Sequence, residues 1–432
     1  MDLIRYPASA GRRIILSILW LTLSGLAASV ASVAQRDTAT AVLPVLPLDS
    51  VIGKVVARNP ELKMWNLRAQ GRSAAAQGAQ AWMAPELGLG GSQLPYQGGM
   101  DMSPGDPAMM VSFRQMIPGF GKRAAQQRYL TSLSKKEWAE GKWMRAKLIA
   151  DAKSQYYRMV TTTKKQAALR EAEGVMAYML VVAEVRFKLR RVDMATVFEA
   201  RARLAEFKNK RTTEETMKRQ AVAALALLMA TPDETGFTAD TTIRLQGYAT
   251  SPGVLDLESR GDLVGVDWEI KSMEFNLETM RRQGRPDFGI QFEHMEMFDM
   301  GRRFSAMAMM TLPLAPWSSG MVRADIGAMQ KAIASMRADK ESRLLMAGRM
   351  ASDMILMLQS ESDQYRNFNE DVTPAYRKSL DAAMAAYQEG TGDLFRVLDT
   401  WDRWVMSRME TVEHLEKALI LEAEYARESG KP

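Results

Sequence analysis

The stretch Asp287-Phe288-Gly289-Ile290-Gln291-Phe292-Glu293 puts Phe288, Ile290 and Phe292 on one face of an extended chain and Asp287, Gly289, Gln291 and Glu293 on the other. Side chains alternate across a strand, so this period of two predicts a strand with one apolar and one polar face. Further on, Arg303, Ser305, Met307, Met309 and Thr311 alternate with Phe304, Ala306, Ala308, Met310 and Leu312. The pair makes a hairpin over 287–312. An earlier pair of segments, Glu86-Leu87-Gly88-Leu89-Gly90 and Met109 to Met116, alternates in the same way and predicts a first hairpin over 86–117.

Around the hairpins the period changes. Asp49-Ser50 opens an amphipathic segment with Val51, Val55, Leu62 and Leu67 that runs to Ala84 and stops at Pro85, which predicts one helix. Phe120 to Ala230 contains no proline, and Ile149, Ala152, Tyr156 and Met159 follow the 3-4-3 spacing of a packed helical seam. The second half repeats the order: helix from Leu255 to Gln283, hairpin, then helix to the C-terminus across Pro374. Pro85 and Pro286 lie 201 residues apart, and Phe187 to Phe198 matches Tyr387 to Leu398 at a constant offset of 200. The chain is therefore read as two structural repeats, 48–240 and 241–432, each of helix, hairpin and long helices.

Composition excludes much of enzymology. The 432 residues hold no cysteine and two histidines, His294 and His414, with a net charge of +6. Cysteine nucleophiles and cysteine zinc sites are absent, and imidazole chemistry has two candidate positions. No catalytic residue and no cofactor are expected, and the mild charge excess does not point to nucleic acid. Residues 1–34 read as a signal peptide: Arg5, Arg12 and Arg13, an apolar run from Ile14 to Ala28, then Ala31-Ser32-Val33-Ala34. The run is short of the roughly 20 residues of a membrane helix, although an N-terminal anchor is the alternative. Residues 35–47 form a linker. The longest later apolar run is Ala221 to Ala230, so membrane residence would require a β-barrel. The hairpin strands have the length to cross a bilayer when tilted, but four strands leave open edges. The chain must oligomerise, or else the sheet is a soluble one packed on one face.

Several short motifs in this order resemble the TolC-type outer-membrane efflux family: Asn59-Pro60-Glu61-Leu62, Ile117-Pro118-Gly119-Phe120-Gly121-Lys122-Arg123, Gly284-Arg285-Pro286-Asp287, Leu312-Pro313-Leu314 and Gly390-Thr391-Gly392-Asp393. The resemblance covers roughly residues 48–424, and the Gly-Lys-Arg motif leans towards the heavy-metal efflux branch. It implies a mainly α fold with a small β part. Three subunits would build an α-helical barrel tunnel and a 12-stranded outer-membrane β-barrel, four strands from each. It also implies an outer-membrane location reaching into the periplasm, a periplasmic adaptor of the membrane-fusion class, an inner-membrane pump of RND type, and contact with outer-membrane lipid. Many members of that branch carry a lipidated N-terminal cysteine, which is missing here. The segments at Asp193 and Asp393 become turns at the periplasmic tip. By position Tyr387, Asp393 and Asp399 match gate residues, while Arg396 stands where a second acidic residue is expected. The alternative function is a soluble periplasmic coiled-coil adaptor, which usually has one helical hairpin rather than a duplicated set.

Methionine is the compositional outlier. Of 33 methionines, 12 fall within 86–118 and 287–321, about three times the density elsewhere. Met295, Met297, Met307 and Met309 share parity with the polar face, and Met100 and Met102 stand in the first hairpin loop. Thioether sulfur is a soft ligand suited to Cu(I) and Ag(I), so these six are candidates for a weak metal track. The alternative is methionine as a gap-filler. The stripe Met346, Met350, Met354 and Met357 reads instead as helix core.

Overall fold

The computed structural model describes residues 44–92, 108–232, 236–243, 245, 257–297, 301–311, 313 and 319–430. The signal segment 1–34, Met100 and Met102 lie outside them. The described elements belong to one unit, Val45–Pro432.

Strand β1 (Val45–Leu46) precedes α1 (Leu48–Arg58) and α2 (Pro60–Gly78). The single helix expected to reach Ala84 is thus two helices, the second ending at Gly78. The break falls at Asn59, whose extended backbone leaves the helix while its side chain accepts from Glu61 N at 2.9 Å and Pro60 starts the next helix. Proline fits a first turn, where no intrahelical N–H is needed, and an Asx cap supplies the missing acceptor. Strands β2 (Glu86–Ser92) and β3 (Ala108–Ile117) lead into α3 (Lys122–Lys188) and α4 (Met194–Leu228), and the 67 residues of α3 extend about 100 Å. After β4 (Thr238–Ala239) the order recurs as α5 (Gly261–Gln283), β5 (Asp287–Met297), β6 (Gly301–Thr311), α6 (Ser319–Asn367), α7 (Thr373–Gln388) and α8 (Leu394–Glu428).

The duplication is close in detail. Helices α4 and α8 each have 35 residues, and each starts behind an aspartate cap, Asp193 or Asp393. Asp193 accepts from Thr196 N at 2.9 Å and from its hydroxyl at 2.6 Å, and these hydrogen bonds hold its carboxyl below the usual range. Before each cap the chain turns through a left-handed residue, Arg190 (φ 56°) or Gly390 (φ 78°). The six-to-one bond of a Schellman turn closes at both places, Arg191 N to Arg186 O at 2.9 Å and Thr391 N to Ala386 O at 3.0 Å. Glycine adopts that conformation freely whereas arginine pays for it. Arg190→Gly is therefore expected to stabilise the first turn by about 1 kcal/mol, and Gly390→Ala to cost a similar amount, both read as shifts in thermal midpoint.

One difference separates the copies. Helix α3 is continuous, whereas α6 passes into α7 through a π-helical turn, Phe368–Val372, with Pro374 in the first turn of α7. The wider turn accommodates a residue that has no N–H to give and whose ring crowds the preceding turn.

Two apolar clusters hold the helices together. The first joins Val51 and Val55 to Ala152, Tyr156 and Met159 of α3, Leu225 of α4 and Leu419 of α8. Tyr156 is fully buried, donating to Leu46 O at 2.8 Å and accepting from Asp240 N at 3.0 Å, so its hydroxyl staples the chain on either side of the parallel β1–β4 pair. The second cluster packs Leu169 and Met176 of α3 and Phe207 of α4 against Leu380 of α7 and Leu398 and Trp401 of α8. The expected α3 seam, Ile149, Ala152, Tyr156 and Met159, is buried throughout. The methionine stripe on α6 is not the core it was expected to be: Met346 is 65% and Met357 57% exposed, and the buried side of α6 is Ile333, Ala347, Ala351 and Leu358. Spacing identifies a stripe, but not whether this chain contains its partner.

Candidate functional site

The four long strands form one antiparallel sheet in the order β2-β3-β5-β6. Its register fixes the faces. Phe292 pairs with Phe113 and Ala306, and Ile290 with Ala308, on one side. Gln291 pairs with Arg114 and Met307, and Glu293 with Ser112 and Ser305, on the other. The two faces are inverted relative to a water-soluble sheet. The apolar side is open, with Leu89 85% and Phe304 81% exposed, whereas on the polar side Ala108 is 2% and Gln291 9% exposed. The covered side is internally bonded: Arg114 Nε donates to Gln291 at 2.9 Å and pairs with Glu86 at 3.3 Å, Gln291 donates to Glu293, and Ser305 donates to Glu293 at 3.2 Å. Apolar outside and hydrogen-bonded polar inside is the arrangement of a sheet whose outer solvent is hydrocarbon. Among the described residues the outer edges of β2 and β6 pair with no strand.

The register places Met295, Met297, Met307 and Met309 on the polar-side parity, where Met307 is itself 53% exposed, with Met110 directly opposite Met295. Gly289 lies between Met116 and Met309 in one cross-strand row. A β-carbon there would come within 2.7 Å of Met116 Sδ, so the glycine leaves room for the thioether. Among the described residues no group of three or more His, Asp or Glu side chains is gathered to hold a metal ion.

The four tip residues are near one another in sequence but do different things. Asp393 caps α8, accepting from Phe395 N at 3.2 Å. Tyr387 lies under the guanidinium of Arg186, which is 4.0 Å from the ring centroid, and its hydroxyl is buried without a hydrogen-bond partner among the described residues; burial pushes its pKa up. Asp399 pairs with Arg403 one turn on, at 3.0 Å, and not with Arg396 three residues before it. Arg396 is exposed, with no carboxylate within 4 Å among the described residues. Arg186 belongs to no sequence motif, and the one local signal for Arg403 is its place four residues after Asp399.

Farther along, the start of α5 is locked to the end of α8. Arg260 is 6% exposed and Glu428 2%, and they pair directly. Arg260 also grips Asp262 at 2.8 and 3.0 Å and lies over Trp143, 4.9 Å from the ring centroid. Burial opposes its charge, but the two carboxylates outweigh that and push its pKa up. Gly261 permits the approach, because a β-carbon there would meet the Trp143 backbone at 2.8 Å.

Solved structures of outer-membrane channels superpose on nearly the whole chain. CusC, described in its transmembrane channel formation, matches with a TM-score of 0.76 at 15% identity over 89% of this chain and 92% of that one. The outer-membrane channel CmeC of Campylobacter jejuni matches at 0.75 and 15% over 89% and 85%, and the outer membrane protein VceC of Vibrio cholerae at 0.71 and 17% over 89% and 96%. No protein-family profile and no curated protein sequence matches the chain. The fold is that of the TolC-type outer-membrane efflux channels.

Proposed function

We propose that the chain is the outer-membrane exit duct of a tripartite efflux system, exported by its signal segment and acting as a trimer. Three four-stranded sheets then close a 12-stranded barrel, each β2 edge meeting a neighbour's β6, and the long helices build the tunnel below it. The inverted sheet with two open edges carries this reading, since lipid tolerates exposed apolar side chains but not unpaired strand edges. The exposed Met346 and Met357 on α6 add an apolar strip for a neighbouring subunit. The duct is passive and without cofactor or catalytic residue. A periplasmic adaptor and an RND-type inner-membrane pump supply substrate and energy.

Planar-bilayer recording and gel mobility of the purified protein test the reading. The expected result is a heat-dissociable trimer with steady conductance. Recovery only as a monomer that does not conduct would overturn it. Within the channel, Tyr387, Asp393, Arg396 and Asp399 form the tip constriction, so Arg396→Asp and Asp399→Ala are each expected to change conductance severalfold. Unchanged values would remove these residues from the gate.

The finer reading is a soft-cation path along Met295, Met297, Met307 and Met309 at the polar face of the sheet, with Met100 and Met102, outside the described residues, as further candidates from the sequence, assisting export of Cu(I), Ag(I) or other heavy-metal ions. A strain carrying leucine at the four strand positions is expected to lose several-fold of its silver tolerance at equal expression. Equal tolerance would return these residues to gap-filling.

A further inference from the structure

One face of α3 is neither part of the core nor facing the polar side of the sheet. Lys122 opens the helix by reaching Asp287 at 2.7 Å, and Asp287 shares parity with Gly289 and Gln291 on the covered side of the sheet. A helix turns 100° per residue, so the positions half a turn from Lys122 continue the apolar, outward side. They are Arg128, Lys135, Trp138, Lys142 and Arg145, all exposed. This face carries no acid, whereas the Lys122 face carries Glu137 and Glu140.

All but Arg128 of the cations on this face lack an ion pair among the described residues. Lys142 Nζ lies 4.2 Å from the Trp138 ring centroid, and Lys135 Nζ and Lys271 Nζ lie 4.4 and 4.5 Å from that of Trp268. Arg128 pairs with Glu278 at 2.8 Å. Among the described residues Lys135, Lys142, Arg145 and Lys271 have no carboxylate within 4 Å. Between α3 and α5 the face opens into a groove of about 350 Å³ floored by Trp268 and Phe275 and edged by the Gln127 amide and the Thr131 hydroxyl. Arg128, Lys135 and Lys142 recur every seven residues, a step of about 10 Å, and the face extends about 25 Å to Arg145.

We propose that this face docks an anionic glycan polymer, the carboxylate-bearing glycopeptide of the cell wall. The inference rests on the channel reading for its location. Ammonium groups at the spacing of an extended disaccharide match carboxylates carried on alternating sugars, while indole, amide and hydroxyl groups suit sugar rings and their hydroxyls. Lipid headgroups fit less well. The headgroup layer is only about 5–8 Å deep, whereas the face begins about 9 Å past the start of α3 and continues beyond 30 Å.

The test is co-sedimentation of the purified full-length protein with isolated peptidoglycan sacculi. Wild-type protein is expected to pellet at low salt and to be released at high salt. The combined Lys135→Glu, Lys142→Glu and Lys271→Glu variant is expected to lose at least tenfold in retention while keeping wild-type bilayer conductance. No wild-type retention, or equal retention of the variant, would overturn the proposal. So would equal competition by polyglutamate, which marks a generic polyanion surface, or preferential capture by anionic phospholipid vesicles, which marks a lipid site. Loss of conductance in the wild type would instead count against the channel reading, and pelleting does not depend on it.

Discussion

Arg260→Ala is expected to destabilise the folded protein by about 3–5 kcal/mol, the scale for removing one partner of a buried ion pair. Its guanidinium has two carboxylate partners and an indole, and Glu428, at 2% exposure, would be left with Arg427 at 2.7 Å as its cation. The loss comes mainly from leaving the buried Glu428 carboxylate with one cation in place of two, Arg427 alone. Removing Glu428 as well should therefore restore part of it, and the double variant is expected to fall well short of the sum of the two singles. Denaturation midpoints of the four proteins measure this. Additive losses would show that the pair is not coupled.

Phe292→Arg is expected to block insertion into the membrane, at a cost of about 2–4 kcal/mol for a cation near the middle of a lipid-facing strand. Residue 292 is central in β5 and 50% exposed on the apolar side. Met307→Gln, on the opposite parity and beside Gln291, is the control and should insert normally. Membrane fractions and heat-dissociable trimer report both. Equal yields would mean that the apolar side does not face hydrocarbon.

These expectations rest on features of unequal visibility in the sequence. The strand faces were legible because alternation is local and the register of β3 with β5 keeps the parity. The matching segments at Asp193 and Asp393 were legible through the offset of 200, their reading as turns came with the family resemblance, and the aspartate caps emerge only in the structure. The break at Asn59 is masked by the apolar spacing from Val55 to Leu62, which runs through it. The methionine stripe on α6 has the spacing of a core helix and yet faces outward. The Arg260–Glu428 pair joins residues 168 apart, and Arg186 meets Tyr387 from the other repeat. Neither contact leaves a local pattern. Among the proposed gate residues, position suggested a set, whereas the geometry separates a cap, a half-buried ring and a helical ion pair.

The π-helical turn at Phe368–Val372 also keeps the count between the repeats. Before it, buried Ala347, Ala351 and Leu358 stand 199 residues after buried Leu148, Ala152 and Met159. Beyond it, Ala383 and Val397 stand 200 after Ala183 and Val197. The turn thus marks a single inserted residue, absorbed without unravelling the helix but rotating everything past it by about 100°. The arm below is re-phased: Leu380 and Ala383 point inward, where an unbroken heptad would have aimed Ser379 and Ala382. Deleting one residue from this turn would put α7 out of step with α8, whereas the same deletion in a surface loop would go unnoticed.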